Sequence, residues 1–357
     1  MSGTLADWGW DERREVELLP LAEEGWMAGR VVRPGRGIWR LVVVTNGDLH
    51  EIDARLSGRA LGREEAPGAG DWVAWRQEGG TGIIGAVLDR RTVISRKAAG
   101  TAAKEQVIAA NVDDLFIVQA LGKGRGFTPR GLERYLAMAW ESGCRPLVVL
   151  NKADLAPDPA GDRLDAEAAA PGVDVLVCSV LGGAGVGELG RFLAPGRTAA
   201  FVGPSGVGKS SIINAIAGER LAATGEVRDQ DRRGRHTTTH RELHRLPGGP
   251  LLLDTPGLRE VQLWGTAATA NMVFPEIDGA AQLCRYSDCG HDNEPGCAVR
   301  AALAEGQIQP DRFDSWLELH RELAQLENRR DERARRKQAG KKLSKLIRNH
   351  KKGKDAW

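Results

Sequence analysis

The sequence predicts a three-part chain: a small β-barrel, a doubly wound α/β domain, and a metal-stapled helical segment ending in a basic tail. Three observations predict this. From residue 25 to about 99, short strand-like runs are separated by Gly and Pro turns. From about Gln106, apolar strand patterns alternate with helical ones. After about Thr266 the strands stop, and three of the five cysteines crowd around one histidine.

With 357 residues the chain has room for two or three domains, and a hydrophobic content of 41% supplies real cores. Apolar runs such as 146–150 and 250–253 are too short to cross a bilayer, so no membrane partner is expected. The acidic start (Asp7, Asp11, Glu12, Glu15, Glu17) has no apolar stretch of the kind a secretory signal needs. A low, odd cysteine count fits a reducing compartment, and the expectation is a cytoplasmic protein. The net charge of +2 conceals an asymmetry: residues 329–357 carry 13 Lys or Arg against 3 Asp or Glu, while the rest of the chain is net acidic. A basic tail on an acidic body suits a polyanion such as RNA, and it equally suits a solvated, frayed end.

The elements follow in order. Residues 1–24 read as a polar arm. The barrel, 25–100, takes its strands from Val31-Val32, 38–44, the alternation Ile52/Ala54/Leu56, 72–75 and 83–88. Five short strands suggest an OB-fold, although an SH3-like barrel has the same pattern. Its tryptophans Trp26, Trp39, Trp72 and Trp75 are either core or platforms for bases. The α/β domain, 105–265, has strands at 115–120, 147–150, 173–178, 199–202 and 251–253. Thr128-Pro129 opens a helix as N-cap and first position, and Gly143 closes it. Cys144 and Cys178 read as small core residues. The last part, 268–357, is a Cys/His knot, a helix over 311–336 and the basic tail. No internal repeat is visible.

The chemistry sits in the loops. Gly203-Pro204-Ser205-Gly206-Val207-Gly208-Lys209-Ser210 matches the phosphate-binding pattern G-x-x-x-x-G-K-[ST], between a strand and a helix opening at Ser211. The glycines let backbone N–H groups close around phosphates at a helix N-terminus. Lys209 is expected on the β- and γ-phosphates and Ser210 on Mg²⁺. In Asn151-Lys152-Ala153-Asp154, the Asp154 carboxylate suits the paired N–H donors on the edge of guanine, which adenine lacks. Asn151 braces that loop, Lys152 lies along the base, and Ser179 begins a second guanine-side loop. The ligand is therefore GTP or GDP. In Asp254-Thr255-Pro256-Gly257, Asp254 holds Mg²⁺ through water and the Gly257 N–H senses the γ-phosphate. Between the two lies Gly234-Arg235-His236-Thr237-Thr238-Thr239, whose composition suits a switch in which Thr238, or else Thr239, completes the Mg²⁺ shell. Leu258 stands where Ras-like enzymes place the water-orienting Gln. Turnover is therefore expected to be slow alone and stimulated by a partner. His236 is the candidate for positioning water; alternatively it contacts RNA or solvent.

The order of these motifs is permuted. The base-reading loop precedes the phosphate loop, so the chain after Asp254 runs directly into the Cys/His segment and could pass movement to it. Cys284-x₄-Cys289-x-His291-x₅-Cys297 supplies three thiolates and an imidazole, a donor set for a closed structural Zn²⁺ site.

The permuted order, the strings GPSGVGKS, GRHTTT and DTPG, the zinc string ending Glu294-Pro295-Gly296-Cys297, and Gln106-Val107-Ile108-Ala109-Ala110-Asn111-Val112-Asp113 together resemble the ribosome small-subunit-dependent GTPase family RsgA, also called YjeQ. The resemblance covers residues 25 to about 350, with Val180 standing where the family more often has Ala. It implies an OB-fold, a circularly permuted GTPase and a zinc domain. It also implies a role in late maturation of the small ribosomal subunit, with hydrolysis stimulated by that subunit. The barrel, zinc domain and tail (Arg335, Arg336, Lys341, Lys342, Lys345) are the expected rRNA-facing parts, on a monomer. Two rivals stand beside this reading: an RNA-binding module in which nucleotide only switches affinity, and a GTPase serving another protein or a small molecule.

Overall fold

The computed structural model describes residues 3–58, 66–97, 105–122, 127–218, 221, 242–254, 266–328, 332 and 335. They fall in two units, Met1–Gln262 and Leu263–Trp357.

The N-terminal residues, expected as an arm, are folded into the first unit. A 3₁₀ turn, Leu5–Trp8, leads into α1 (Glu12–Ala22), and Asp11 caps α1 by accepting from the Arg14 N–H at 3.2 Å. Trp8, Arg14 and Leu18 are buried. The polar composition disguised this, because only a few positions of α1 turn inward.

The barrel comprises β1 (Met27–Arg33), β2 (Trp39–Thr45), β3 (Asp48–Leu56), β4 (Trp72–Glu78) and β5 (Thr81–Val87), closed in the order β1-β2-β3-β5-β4. The β3–β5 pairing is parallel and the others are antiparallel. This closed five-stranded wiring is that of an OB-fold and removes the SH3-like alternative. Val31, Leu41, Val43, Ala54, Val73, Trp75 and Ile84 fill the interior. Trp39, Trp72 and Trp75 are core, the first of the two readings open to them, and are not platforms for bases. The Trp39 indole donates to the Pro67 carbonyl at 2.9 Å and that of Trp75 to the Ala28 carbonyl at 3.0 Å, as buried indoles require. Trp26 is half-buried, with the Arg76 guanidinium 4.3 Å from its ring centroid. A two-stranded antiparallel sheet, β6 (Val93–Lys97) with β7 (Glu105–Ala110), follows the barrel.

The α/β part is a six-stranded sheet in the order β10-β9-β8-β11-β13-β12. Its strands are β8 (Asp114–Ala120), β9 (Arg145–Asn151), β10 (Val175–Val177), β11 (Thr198–Val202), β12 (Glu242–Arg245) and β13 (Leu251–Asp254). All are parallel except β12, which runs antiparallel to β13. The five expected strands are present; β8, β9 and β11 are buried almost throughout, as their continuous apolar runs require, while the edge strand β10 is cut to three residues and half-buried at Leu176 and Val177. β12, Glu-Leu-His-Arg, carries too few apolar residues to read as a strand. Helices α2 (Pro129–Ser142) and α3 (Pro159–Ala169) connect β8 to β9 and β9 to β10, α4 (Val186–Leu189) precedes β11, and α5 (Lys209–Ala217) follows it. Thr128 caps α2 by accepting from the Gly131 N–H at 3.2 Å, and Gly143 ends it at φ 76°. Phe116 stacks on Phe201 in the core, with centroids 4.7 Å apart. Cys144 and Cys178 are buried, and burial pushes each thiol up to about 11, which makes them inert packing groups.

The second unit is helical. It contains α6 (Ala267–Val273), α7 (Pro275–Ala281), α8 (Ala298–Ala304) and α9 (residues 310–328). Among the described residues no strand lies beyond 266, and no helix is long and apolar enough to cross a membrane.

Candidate functional site

Four motif-bearing loops leave the same edge of the sheet. Asn151 ends β9, Ser179 lies just beyond β10, Gly203 follows β11 and Asp254 ends β13. These strands are parallel, so all four points lie at their C-terminal ends, where open α/β sheets bind ligands. The permuted chain order is thus compatible with one contiguous site.

The phosphate loop has three glycines at positive φ, Gly203, Gly206 and Gly208, and two of them also leave no room for a Cβ. Gly203 has φ 138°, and a Cβ there would overlap the Val118 carbonyl of β8. Gly208 has φ 99°, and a Cβ there would overlap the Asn151 side-chain amide. Gly208 also caps α5 without a side chain, so no capping group occupies the first-turn N–H groups. Lys209 Nζ donates to the Gly203 carbonyl at 2.6 Å and the Pro204 carbonyl at 2.7 Å, folding the ammonium over the loop. Ser205 and Gly206 are exposed, Val207 is core, and Ser210 and Ser211 are half-buried in the first turn of α5.

The 151–154 loop, expected to face the base, is tied to the phosphate loop. The buried Asn151 donates from Nδ2 to the Val207 carbonyl at 2.8 Å, and its Oδ1 accepts from the Val180 N–H at 3.4 Å. Lys152 adopts φ 65° and donates from Nζ to the Gly206 carbonyl at 2.6 Å. Ser179 donates to an Asp154 carboxylate oxygen and accepts from the Gly182 N–H at 3.0 Å, which fixes the carboxylate. Val180 serves Asn151 through its backbone N–H, which any residue except proline supplies, and its side chain packs against the sheet core. The unusual Val at 180 therefore leaves this contact intact. His236, Thr238, Thr239, Gly257 and Leu258 lie outside the described residues. Asp254 is placed by its backbone, paired with Glu242.

In the second unit, the ligating atoms of Cys284, Cys289, His291 and Cys297 all lie within 4.8 Å of one another. His291 Nδ1 is 3.6 Å from Cys284 Sγ and 3.5 Å from Cys297 Sγ, and those two sulfurs are 3.9 Å apart. A zinc–sulfur tetrahedron with bonds of about 2.3 Å has edges of about 3.8 Å, so the donor set fits Zn²⁺. The surroundings brace it. Glu294 accepts from the Gly290 and Asp292 N–H groups, both at 2.9 Å, and backbone N–H donors hold its carboxyl below the usual range. Arg300 Nε donates to the His291 carbonyl at 2.9 Å, and the Trp316 ring lies 5.5 Å from the imidazole.

Sequence reasoning missed a buried polar joint beside β11. Arg30 of β1 donates to Thr198 Oγ1 at 2.7 Å, the Asn111 carbonyl at 3.3 Å and the Trp8 carbonyl. Arg14 donates to Asn111 Oδ1 at 2.7 Å, and Asn111 Nδ2 donates to the Gly70 carbonyl at 3.0 Å. Both guanidinium groups lie over the Trp72 ring, at 5.6 and 5.2 Å. Burial pushes Arg30 down to about 9 and Arg14 down to about 10. The available signal was an arginine within the apolar run of β1.

Comparison with known proteins agrees with this geometry. The family model described as RsgA GTPase matches residues 87–264. A model for ABC transporters matches 189–345, a span containing the phosphate loop that many P-loop nucleotidases share. A protein of Opitutus terrae named small ribosomal subunit biogenesis GTPase RsgA is 42% identical, over 92% of each chain. One of Streptomyces avermitilis with the same name is 42% identical, over 94% of this chain and 90% of its own. The crystal structure of YjeQ from Thermotoga maritima matches with a TM-score of 0.63 at 26% identity, over 84% of this chain and 98% of that one. YloQ, described as a circularly permuted GTPase, shares the fold with a TM-score of 0.62 at 23% identity, over 84% of this chain and 95% of its own.

Proposed function

The chain belongs to the RsgA GTPase family, and from that premise we infer that it hydrolyses GTP in late maturation of the small (30S) ribosomal subunit, stimulated by that subunit. The observation that carries the site is the bridge made by Asn151. Through Val207 and Val180 it locks the phosphate loop and both base-side loops into one frame.

In this reading Asp154, held by Ser179, accepts from the guanine edge, and Lys152 lies along the base. The N–H groups from Gly206 to Ser211 enclose the phosphates, while Gly203, Pro204 and Ser205 shape the turn. Lys209 moves its ammonium from the Gly203 and Pro204 carbonyls onto the β- and γ-phosphate oxygens. Ser210, Thr238 (with Thr239 the alternative) and, through water, Asp254 would hold Mg²⁺, which would neutralise charge on the phosphates. Gly257 senses the γ-phosphate, and His236 positions water in place of the Gln that Leu258 cannot supply. Cys284, Cys289, His291 and Cys297 hold one structural Zn²⁺, with every donor committed and no open coordination position for chemistry.

The parts divide the work. Residues 1–24 buttress the barrel, 25–100 engage rRNA as an OB-fold, 105–265 turn over GTP, and 268–357 form the zinc domain with its basic tail. The protein acts as a cytoplasmic monomer on the small subunit. GTP turnover tests the reading, measured for the protein alone, with small subunits and with large subunits, with Lys209→Ala as the blank. Stimulation by small subunits only is the expected result. Slow turnover that neither subunit changes would overturn the ribosomal role.

A further inference from the structure

Strand β1 of the barrel grips both neighbours of the strand that ends at Asp254. In the sheet, β13 lies between β11 and β12. Arg30 reaches Thr198 on β11, and Thr198 is paired with Leu251 at the start of β13. Three residues further along β1, Arg33 Nη2 lies 2.5 Å from Glu242 Oε1 on β12, and Glu242 is paired with Asp254 at the end of β13. The two arginines therefore hold the sheet at opposite ends of the same short strand. They differ in kind. Arg30 is fully enclosed, bound to two carbonyls and a hydroxyl, and acts as a fixed anchor. The Arg33 and Glu242 side chains remain 37% and 26% exposed, and an ion pair this exposed adds little to fold stability. Arg33 is also the last residue of β1, directly before the Pro34–Ile38 connection to β2. A shift in that connection would reach Glu242 while leaving the Arg30 anchor in place.

We propose that the Arg33–Glu242 pair is a positioning contact through which engagement of the barrel by RNA sets the Asp254 end of β13, and with it the rate of GTP turnover. The proposal rests on the GTPase reading above. Arg33 touches no nucleotide; it acts through Glu242 and the β12–β13 pairing on the residue expected to order Mg²⁺. Neither residue stands out in sequence, because they are 209 positions apart.

The test uses the full chain with Arg33→Met, Glu242→Gln, Arg33→Lys and the exchanged pair Arg33→Glu with Glu242→Arg. GTP turnover is measured with and without saturating small subunits, and subunit affinity is measured by co-sedimentation. Subunit-stimulated kcat should fall about five- to tenfold in Arg33→Met and Glu242→Gln, an ordinary coupling strength between sites. Subunit affinity should stay within about twofold, since the barrel remains anchored by Arg30. Arg33→Lys should recover part of the stimulation and the exchanged pair most of it. Full stimulation in both single variants would overturn the coupling. So would a loss of stimulation that tracks lost subunit affinity and is not restored by the exchange, because Arg33 would then be a docking residue. An unresponsive wild-type chain gives a different result: it overturns the ribosomal reading itself, and the coupling with it.

Discussion

At the scale of single residues, the site depends on a few contacts that tolerate little change. Asp154 is the residue proposed to select the base, and Ser179 fixes its carboxylate. Asp154→Asn should narrow the preference for GTP over ATP by about 100-fold or more, because the amide presents a donor to the guanine N–H groups. Competition of each nucleotide against a fluorescent guanine nucleotide measures this. Gly208→Ala meets both a left-handed φ and the Asn151 amide, so it should cost roughly 1–3 kcal/mol and uncouple the two loops. A denaturant midpoint together with a GTP titration would show both effects. The placing of the phosphate loop and of Asn151-Lys152-Ala153-Asp154 at strand ends was legible in sequence because each motif is a local spacing. Arg30 and Asn111 were not. Arg30 finds its partners at Asn111 and Thr198, 81 and 168 positions away, and such contacts leave no local pattern.

At the scale of elements, local signals worked where one residue ends or starts a helix, as Thr128 and Gly143 do for α2. They failed for α1 and β12, where tertiary packing outweighs a polar composition. The barrel's five strands were visible, but its family of fold was settled by the parallel β3–β5 closure, a long-range pairing. In the Cys/His segment, Cys297 is at once one of the four candidate metal donors and the N-cap of α8, accepting from the Arg300 N–H at 3.5 Å. Loss of the metal should therefore release the helix as well. Metal analysis should find one zinc per chain. A strong chelator, or Cys289→Ser, should abolish a separate melting transition of the C-terminal unit while GTP binding by the first unit persists. Differential scanning calorimetry with and without GTP distinguishes the two units.

At the scale of the whole molecule, the charge asymmetry suits a polyanionic partner. Residues 329–357 hold 13 Lys or Arg against 3 Asp or Glu, while the rest of the chain is net acidic. Their deletion should weaken small-subunit binding and flatten its salt dependence, by about one unit of log–log slope per lost phosphate contact. Titrations at three or more salt concentrations measure this. An unchanged slope would make the tail a solvated end. The permutation was legible from motif order alone. The joining of the barrel to β11 and β12 was not, since it depends on arginines whose neighbours only the fold reveals.

The strand order also sets a sequence of events on the translating ribosome. β8, β9 and β10 form one contiguous half of the sheet and are complete before β11 is made. The Asn151 side of the candidate site is thus synthesised first, and Ser210 follows Asn151 by 59 residues, roughly 3–12 s at ordinary elongation rates. Until then β8 presents a bare edge where β11 will pair. The nascent chain passes through a stage in which the Asn151 and Ser179 loops are made and the phosphate loop that braces them is not, the reverse of the birth order in an unpermuted GTPase. Slow codons between 151 and 210 would prolong that stage.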